Sequence, residues 1–220
     1  MKATPLLAAL QLGDSAFPSG AFTQSYGLET LVAERAVSNA ADLEAMLAAH
    51  MRHRLAKADL PALLAAHRAA TGMDMDLVLR IDAALTAIKM TREERQASHR
   101  MGARLMTEAR RLAPHSVLES KPQNAAVAFA LAGIAMSLSA RESALTYAYS
   151  FASSLVSASM RLLRIGHGEA QAVLRRSHPS IELAVDDAET IPWDALCPYA
   201  PRLEMAAARH ERSPARLFAS

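Results

Sequence analysis

The sequence of 220 residues contains a single cysteine, Cys197. One cysteine excludes an intramolecular disulfide and any zinc site built from clustered thiolates, and it fits a reducing compartment. Near the N-terminus one lysine precedes a short apolar stretch that meets Gly13 and Asp14 too soon for a secretory signal. We therefore expect a cytoplasmic protein.

Aromatic residues are also scarce, at 5% of the sequence, while Ala, Leu, Met and Ser are abundant, which favours helices over sheet. No charge of one sign dominates, because 24 Lys and Arg residues stand against 22 Asp and Glu residues and leave a formal net charge of +2. Strong electrostatic attraction to a phosphate backbone is not expected with this balance. Nucleic acid is therefore not predicted as a partner.

Enzyme signatures are missing from the sequence. A nucleotide-binding phosphate loop needs a Gly-Lys pair, and none occurs here; GxSxG, HExxH and GxGxxG patterns are absent as well. No nucleophile and base can be paired by their spacing. We therefore predict no enzyme activity, no catalytic residue and no cofactor.

Two long stretches carry no charged side chain: residues 122–140 and, after Arg141 and Glu142, residues 143–160. Their length raises the alternative of membrane spans. Ser, Thr, Gly and Asn dilute their hydrophobicity, so we interpret them as two core helices of a soluble protein. Helices of this kind must be buried on most sides, so we expect them at the centre of the bundle, where a second copy of the chain could share in covering them.

Apolar residues recur at helical spacing almost throughout, which predicts an all-α, single-domain bundle of about ten helices over residues 1–220. Capping pairs at Asn39/Asp42, Thr91/Glu94 and Ser139/Glu142 mark helix starts. The pattern also predicts a helix that begins near Ser19 or Gly20 and continues through Val32. A long helix is predicted from Ser139 to Gly166, where glycine is typical of a C-terminal cap.

His50 and His53 lie three residues apart on a predicted helix. Two imidazoles on one face could bind nickel or zinc, which would make the chain a direct metallochaperone. No acidic or thiol third ligand is obvious, and a solvated surface pair explains the same spacing. We therefore assign no metal ligand and keep direct nickel binding as the alternative function.

Three sequence blocks resemble the UreF family of urease accessory proteins. Residues 13–29, GDSAFPSGAFTQSYGLE, are similar to the family's N-terminal signature, although Gln24 stands where many members have histidine. Residues 157–174 are similar to a second block, with Arg161 matching and His167 in place of the usual glutamine. Residues 209–220 resemble the family's C-terminal tail. The matching residues in the first and last blocks are Asp14, Ser15, Phe17, Pro18, Gly20, Phe22, Ser25, Gly27, Leu28, Glu29, Arg209, His210, Glu211, Arg216, Leu217, Phe218 and Ser220.

The resemblance implies an all-α dimer that binds the accessory protein UreD, called UreH in some organisms, and the GTPase UreG. This assembly docks on apo-urease, and nickel is handed over when UreG hydrolyses GTP. The chain itself would be a scaffold without a tight metal site. The matching residues would then serve partner binding or the fold.

The same residues also have a physical interpretation. Pro18 disfavours helix at Phe17 and fixes a turn, while Gly20 and Gly27, seven residues apart, would lie on one helix face and let another backbone approach. In the tail, Leu217 and Phe218 lie beyond any predicted helix. We predict a flexible tail from about residue 211 that becomes ordered on a partner, with packing against the body as the alternative. Arg161 and Arg164 could act as an arginine finger, or simply be surface or salt-bridged residues.

Overall fold

A computed structural model describes residues 5–213 and 216–218, except for the side chain of Phe22. This part of the chain contains eleven α-helices, three short 3-10 turns (Ala21–Thr23, Leu55–Lys57 and Ser116–Glu119) and no strand. The predicted all-α fold of about ten helices is therefore confirmed. In chain order the helices are α1 (Pro5–Gly13), α2 (Leu28–Ala33), α3 (Ala40–His53), α4 (Asp59–Thr71), α5 (Met75–Ile88), α6 (Arg92–Leu112), α7 (Ala125–Ala135), α8 (Ala140–Leu162), α9 (His167–Arg176), α10 (His178–Glu189) and α11 (Pro201–His210).

The two charge-poor segments form α7 and α8 at the centre of the bundle. Every residue of α7 from Ala125 to Gly133 is buried, and α6 and α4 pack along it. Helix α8 contacts α1, α4, α7, α9 and α10. The prediction of two core helices is confirmed, and no described helix is both long and apolar enough to cross a membrane.

The predicted capping pairs lie at helix starts. Asn39 accepts a hydrogen bond from the backbone N–H of Asp42, and Ser139 and Glu142 form a complete reciprocal capping box. Thr91 likewise accepts from the N–H of Glu94, at 3.1 Å. The Glu94 carboxylate does not return this bond, because it pairs with Arg54 and Lys89 instead.

A buried polar cluster fixes the start of α7. The Asp82 carboxylate on α5 accepts from the backbone N–H groups of Gln123 and Asn124, both at 2.9 Å. The Asn124 side chain donates to the Asp82 carbonyl at 2.8 Å, and the Ser98 hydroxyl on α6 accepts from the N–H of Ala125 at 3.1 Å. These bonds satisfy helix-start N–H groups that would otherwise be buried without partners.

The helix predicted from residue 19 or 20 through Val32 is wrong, because only Leu28–Ala33 is α-helical. Gly20 and Gly27 have φ angles of 83° and 86°, and Tyr26 has a φ of 52°. These left-handed conformations interrupt a right-handed helix. The two glycines therefore do not lie on one helix face.

Two further helix predictions need correction. Helix α8 ends at Leu162, and Gly166 is the N-terminal cap of α9 with an ordinary φ of −79°, so it is not a C-terminal glycine. The spacing of Met101, Leu105 and Leu112 predicts that Leu112 faces inward on α6, but its side chain is exposed. Both differences lie at helix ends, where the apolar repeat gives the least information.

Substitution of Gly102 tests how closely α6 packs against the start of α7. A Cβ atom at Gly102 would lie 2.5 Å from the backbone oxygen of Gln123 and 3.1 Å from the carbonyl carbon of Asn124. Intrinsic propensity favours Gly→Ala in a helix by about 1 kcal/mol. We expect Gly102→Ala instead to lower the free energy of unfolding by about 1–3 kcal/mol, measured by urea denaturation.

Gly168→Ala is the matched control, because nothing lies within 4 Å of a Cβ at that position in α9. Its stability should be unchanged or higher by up to about 1 kcal/mol. An equal gain in stability from both substitutions would contradict the close contact between α6 and α7.

Candidate interaction surface

The signature residues after α1 form a tight, anchored turn. The Asp14 carboxylate accepts from the Ala16 N–H at 2.6 Å, and the Asp14 carbonyl accepts from the Phe17 N–H at 3.0 Å. The Phe17 ring is buried, whereas Asp14, Ser15 and Pro18 are exposed. We call residues 14–20 the signature turn; it holds polar and proline surface in a fixed position.

Gly20 and Gly27 are both required by the local geometry, for different neighbours. A Cβ at Gly20 would lie 2.8 Å from Nη1 of Arg104 on α6, and a Cβ at Gly27 would lie 3.3 Å from the Ala206 Cβ on α11. Their positive φ angles also strain any other residue. The predicted close approach of another backbone is confirmed at Gly27, where the Leu203 carbonyl oxygen would lie 3.5 Å from the Cβ, whereas the neighbour of Gly20 is the end of an arginine side chain.

Between these glycines the chain turns inward. Ser25 and Gln24 are buried, and the Gln24 side chain donates to the Thr23 hydroxyl at 2.9 Å. The amide in place of the family's usual histidine is therefore an interior group. The side chain of Phe22, another residue of the signature, is outside the described part of the structure.

The carboxylate of Glu29 joins the signature block to the C-terminal segment. It accepts from the backbone N–H of Leu217 at 2.8 Å, from the N–H of Phe218 at 3.2 Å and from Nε2 of His210 at 3.0 Å. Residues almost two hundred positions apart in the chain are thus bonded to one side chain.

Glu93, in the first turn of α6, completes the same arrangement. Its carboxylate contacts Nδ1 of His210 at 2.8 Å and Nη1 of Arg216 at 2.7 Å, while its backbone N–H donates to Glu211 at 2.6 Å. Both nitrogens of the buried His210 ring therefore face carboxylates. Since an ionised carboxylate can only accept, both bonds form together when the ring is an imidazolium. We call Glu29, Glu93, His210 and residues 216–218 the tail junction.

The pKa of Glu29 reflects these contacts. Partial burial raises it, but hydrogen bonds from the N–H of Leu217, from His210 and from the N–H of Phe218 together outweigh burial. The pKa therefore lies below its ordinary value of 4.5. Glu29 is held in its charged form because the docked tail supplies donors to it.

The tail packs against the body through Phe218. This ring is only 5% exposed, and the guanidinium of Arg161 lies 5.4 Å from its centroid in a cation–π contact. The expectation that this aromatic stays uncovered until a partner binds is therefore wrong; packing on the body is correct. Leu217, which lies between Arg216 and Phe218, is 75% exposed. Flexibility from about residue 211 stays a prediction, and Ser220 lies outside the described residues.

The structure thus divides the predicted site residues into two groups. Seven of them meet at or beside the tail junction: Glu29, Arg161, His210, Glu211, Arg216, Leu217 and Phe218. The others belong to the signature turn and the segment that follows it up to Leu28, except for two: Arg209 pairs with Glu34 on the surface at 2.6 Å, and Ser220 lies outside the described residues. Arg161 is a surface residue, as one of the alternatives expected, and its guanidinium lies over the Phe218 ring; within the described residues it forms no salt bridge.

Sequence reasoning missed Glu93, because the many charged residues around it in the sequence predict a solvated face on this helix. It also missed a buried ionic cluster in which Lys89 contacts Asp59 at 3.1 Å and Glu94 at 3.6 Å. Burial disfavours the ammonium of Lys89, but Asp59 and Glu94 outweigh that effect and raise its pKa. The pairing partners come from α4 and α6, so no local spacing reveals them.

His50 and His53 do not form a surface pair. His50 is fully buried beside Phe151, with neither ring nitrogen in hydrogen-bond geometry, whereas His53 is exposed. Burial chiefly, helped by the positive charge of Arg54, holds the pKa of His50 well below 6.5, although the backbone of Tyr26 opposes this weakly. The prediction of two imidazoles on one accessible face is wrong. In the described part of the chain no three His, Cys, Asp or Glu residues are positioned to hold a metal ion.

Glu29→Gln tests the tail junction. The amide of glutamine has the shape of the carboxylate but no charge. Its NH2 group would also face N–H donors of the tail, where the carboxylate oxygens accept hydrogen bonds. We expect a loss of about 1–3 kcal/mol in the free energy of unfolding and faster tryptic cleavage after Arg216. Glu34→Gln is the control, because it breaks only the surface pair with Arg209 and should cost less than about 1 kcal/mol.

The effect of Glu29→Gln should also depend on pH. A carboxyl group whose pKa is lower in the folded than in the unfolded state stabilises the fold above its unfolded pKa, and this stabilisation is lost as pH falls through the folded value. The stability difference between wild type and variant should therefore be full near neutral pH and shrink below 4.5. A difference that does not change with pH would rule out the charged junction.

Sequence comparison relates the chain to proteins of one family. Residues 37–178 match the UreF family. The urease accessory protein UreF of Paenarthrobacter aurescens (strain TC1) is 31% identical over 229 aligned residues that cover 100% of both chains. That of Lachnoclostridium phytofermentans is also 31% identical, over 98% of each chain, and that of Nostoc sp. (strain PCC 7120) is 30% identical over 96% of this chain and 94% of its own. The chain therefore belongs to the UreF family of urease accessory proteins.

Proposed function

We propose that this urease accessory protein is a non-enzymatic, cytoplasmic scaffold. It binds UreD (UreH) and the GTPase UreG, the assembly docks on apo-urease, and nickel is inserted when UreG hydrolyses GTP. Nickel is cargo in this scheme and needs no resident site in the chain. Family membership is the observation that carries the proposal, because the related proteins that match over the full chain are urease accessory proteins.

The signature turn and the tail junction support a docking role, because their exposed residues are held in place before any partner binds. Leu217 projects into solvent while its own N–H is bonded to Glu29 and its neighbour Phe218 is buried. Pro18 and Asp14 are likewise exposed on an anchored turn. Preorganised surface loses little conformational entropy on binding, which favours its use as a contact site.

Leu217→Glu tests the scaffold function at this surface. We expect at least about a tenfold loss of urease activity in cells that express urease with all accessory proteins at ordinary nickel supply, since a central apolar contact is replaced by a charge. Leu183→Glu is the control, because Leu183 is also exposed and lies on α10. Co-purification with UreD and UreG is measured in parallel. Failure of the wild-type chain to join these proteins where they assemble would refute the scaffold function.

We propose further that the chain forms a homodimer through α1. Leu6, Leu7 and Leu10 are exposed on this helix. Beside them an open cleft of about 470 Å³ is lined mainly by residues of α1 and α8, among them Leu10, Leu145 and Tyr149, and also by Asp14 and Ser15 of the signature turn. A projecting leucine row next to a recess is self-complementary, so a two-fold axis lets each copy fill the cleft of the other. This pairing would cover apolar surface that a single copy leaves in water.

Leu7→Glu should therefore convert a dimer into a monomer, as measured by light scattering coupled to size-exclusion chromatography. The introduced charge would be buried against apolar surface of the second copy. Leu79→Glu, on the exposed side of α5, should leave the mass unchanged. A wild-type chain that is monomeric at high concentration would contradict the dimer.

A further inference from the structure

The signature turn forms one wall of a second open cleft. This cleft has a volume of about 480 Å³ and runs along α6. Its lining residues are Pro18, Gly20, Ala103, Arg104, Thr107 and Glu108. The walls are mostly small or apolar, so an extended peptide could lie in the cleft without displacing a bulky side chain.

Arg104 is the cation of this cleft. It is exposed, and its guanidinium passes so close to Gly20 that Nη1 would lie 2.8 Å from a Cβ there. Arg100, one helical turn earlier, is exposed as well. Throughout residues 5–213 and 216–218, neither arginine has an ion pair or a hydrogen bond. The turn thus positions a charge that the fold itself does not use.

Other arginines of α6 do serve the fold. Arg95 donates to the carbonyl groups of Lys89 and Met90, and Arg110 donates to those of Leu118 and Ser120. Arg111 pairs with Glu108 at 2.9 Å, so the one carboxylate that lines the cleft already has a cationic partner. The cleft therefore presents a net positive charge to an incoming group.

Thr107 adds a hydrogen-bond acceptor to the cleft. Its hydroxyl donates to the Ala103 carbonyl at 2.9 Å, so its oxygen is left to accept a hydrogen bond. A peptide N–H could supply that bond while a carboxylate on the same segment reaches Arg104. An isolated phosphate group fits less well, because it brings no peptide N–H for the Thr107 oxygen and no backbone to lie along the small side chains of the cleft.

We propose that the cleft between the signature turn and α6 binds an acidic segment of a partner protein, with Arg104 pairing with a carboxylate and Pro18 packing against the segment. The inference rests on the proposed scaffold function and adds to it a specific surface and the charge of the partner. It gives the signature turn a role beyond packing, because the turn and Arg104 together define the cleft.

The test measures binding of purified UreD (UreH) and purified UreG, each separately, to the full-length chain by biolayer interferometry at low and high sodium chloride concentration. For one of the two partners we expect Arg104→Glu to weaken binding by about tenfold or more, since the variant places two negative charges together. Wild-type affinity for that partner should fall with salt, and the variant should lose much of this salt dependence. Arg104→Lys should keep most of the affinity.

Arg68→Glu is the matched control, because Arg68 is exposed on α4 and the charge change is the same. The proposed binding of an acidic segment in the cleft would be refuted if Arg104→Glu bound both partners as well as wild type does, or if Arg68→Glu lost affinity equally. Circular dichroism and thermal melting verify the fold, and Arg100→Glu replaces the first variant if that one does not fold, with a weaker loss expected. If the wild-type chain binds neither partner, the scaffold function is refuted as well. If only the cleft proposal is wrong, the wild-type chain still binds its partner.

Discussion

The burial of α7 and of the uncharged middle of α8 is the constraint on which the rest of the fold depends. Helices with so few charges are unfavourable in water, so other helices must cover them on almost every side. Their surfaces consist of Ala, Ser and Gly as much as of Leu and Phe, which lets neighbouring helices approach closely. Gly102 is one result: at that point α6 and the start of α7 meet backbone to backbone. The polar groups at this contact are then satisfied by Asp82 and Ser98 rather than by water.

Charged groups are used at the edges of this core to join segments that are distant in sequence. At the tail junction, Glu29 and Glu93 each receive several donors, and His210 lies buried between them. In the ionic cluster, Lys89 is held between Asp59 and Glu94. Such groups add little net stability compared with apolar packing, but removal of one partner leaves a charge uncompensated. They therefore specify which segments meet more than how strongly the whole bundle holds.

The exposed surfaces lie beside groups that burial and hydrogen bonds connect to the helical body. The signature turn is anchored by Phe17 and by the bonds of Asp14, and its residues line both open clefts. Residues 216–218 are fixed by Glu29, so the exposed Leu217 has a defined place. A protein whose work is to bring other proteins together gains from such fixed positions, because order is present before binding. The apolar cleft beside α1 and the positively charged cleft beside α6 differ in chemistry and are suited to different occupants.

The sequence alone determined the all-α class, the two central helices and most helix starts, because periodicity and capping are local properties of neighbouring residues. The motif blocks also pointed to the family. The helix expected from residue 19 or 20 failed because Gly20, Tyr26 and Gly27 adopt left-handed conformations that apolar spacing does not report. Only the tertiary structure decided that His50 is buried, that Phe218 packs on Arg161, and that Glu93 reaches His210. These contacts join residues far apart in the chain, and their geometry follows from how whole helices pack, which no single stretch of sequence contains.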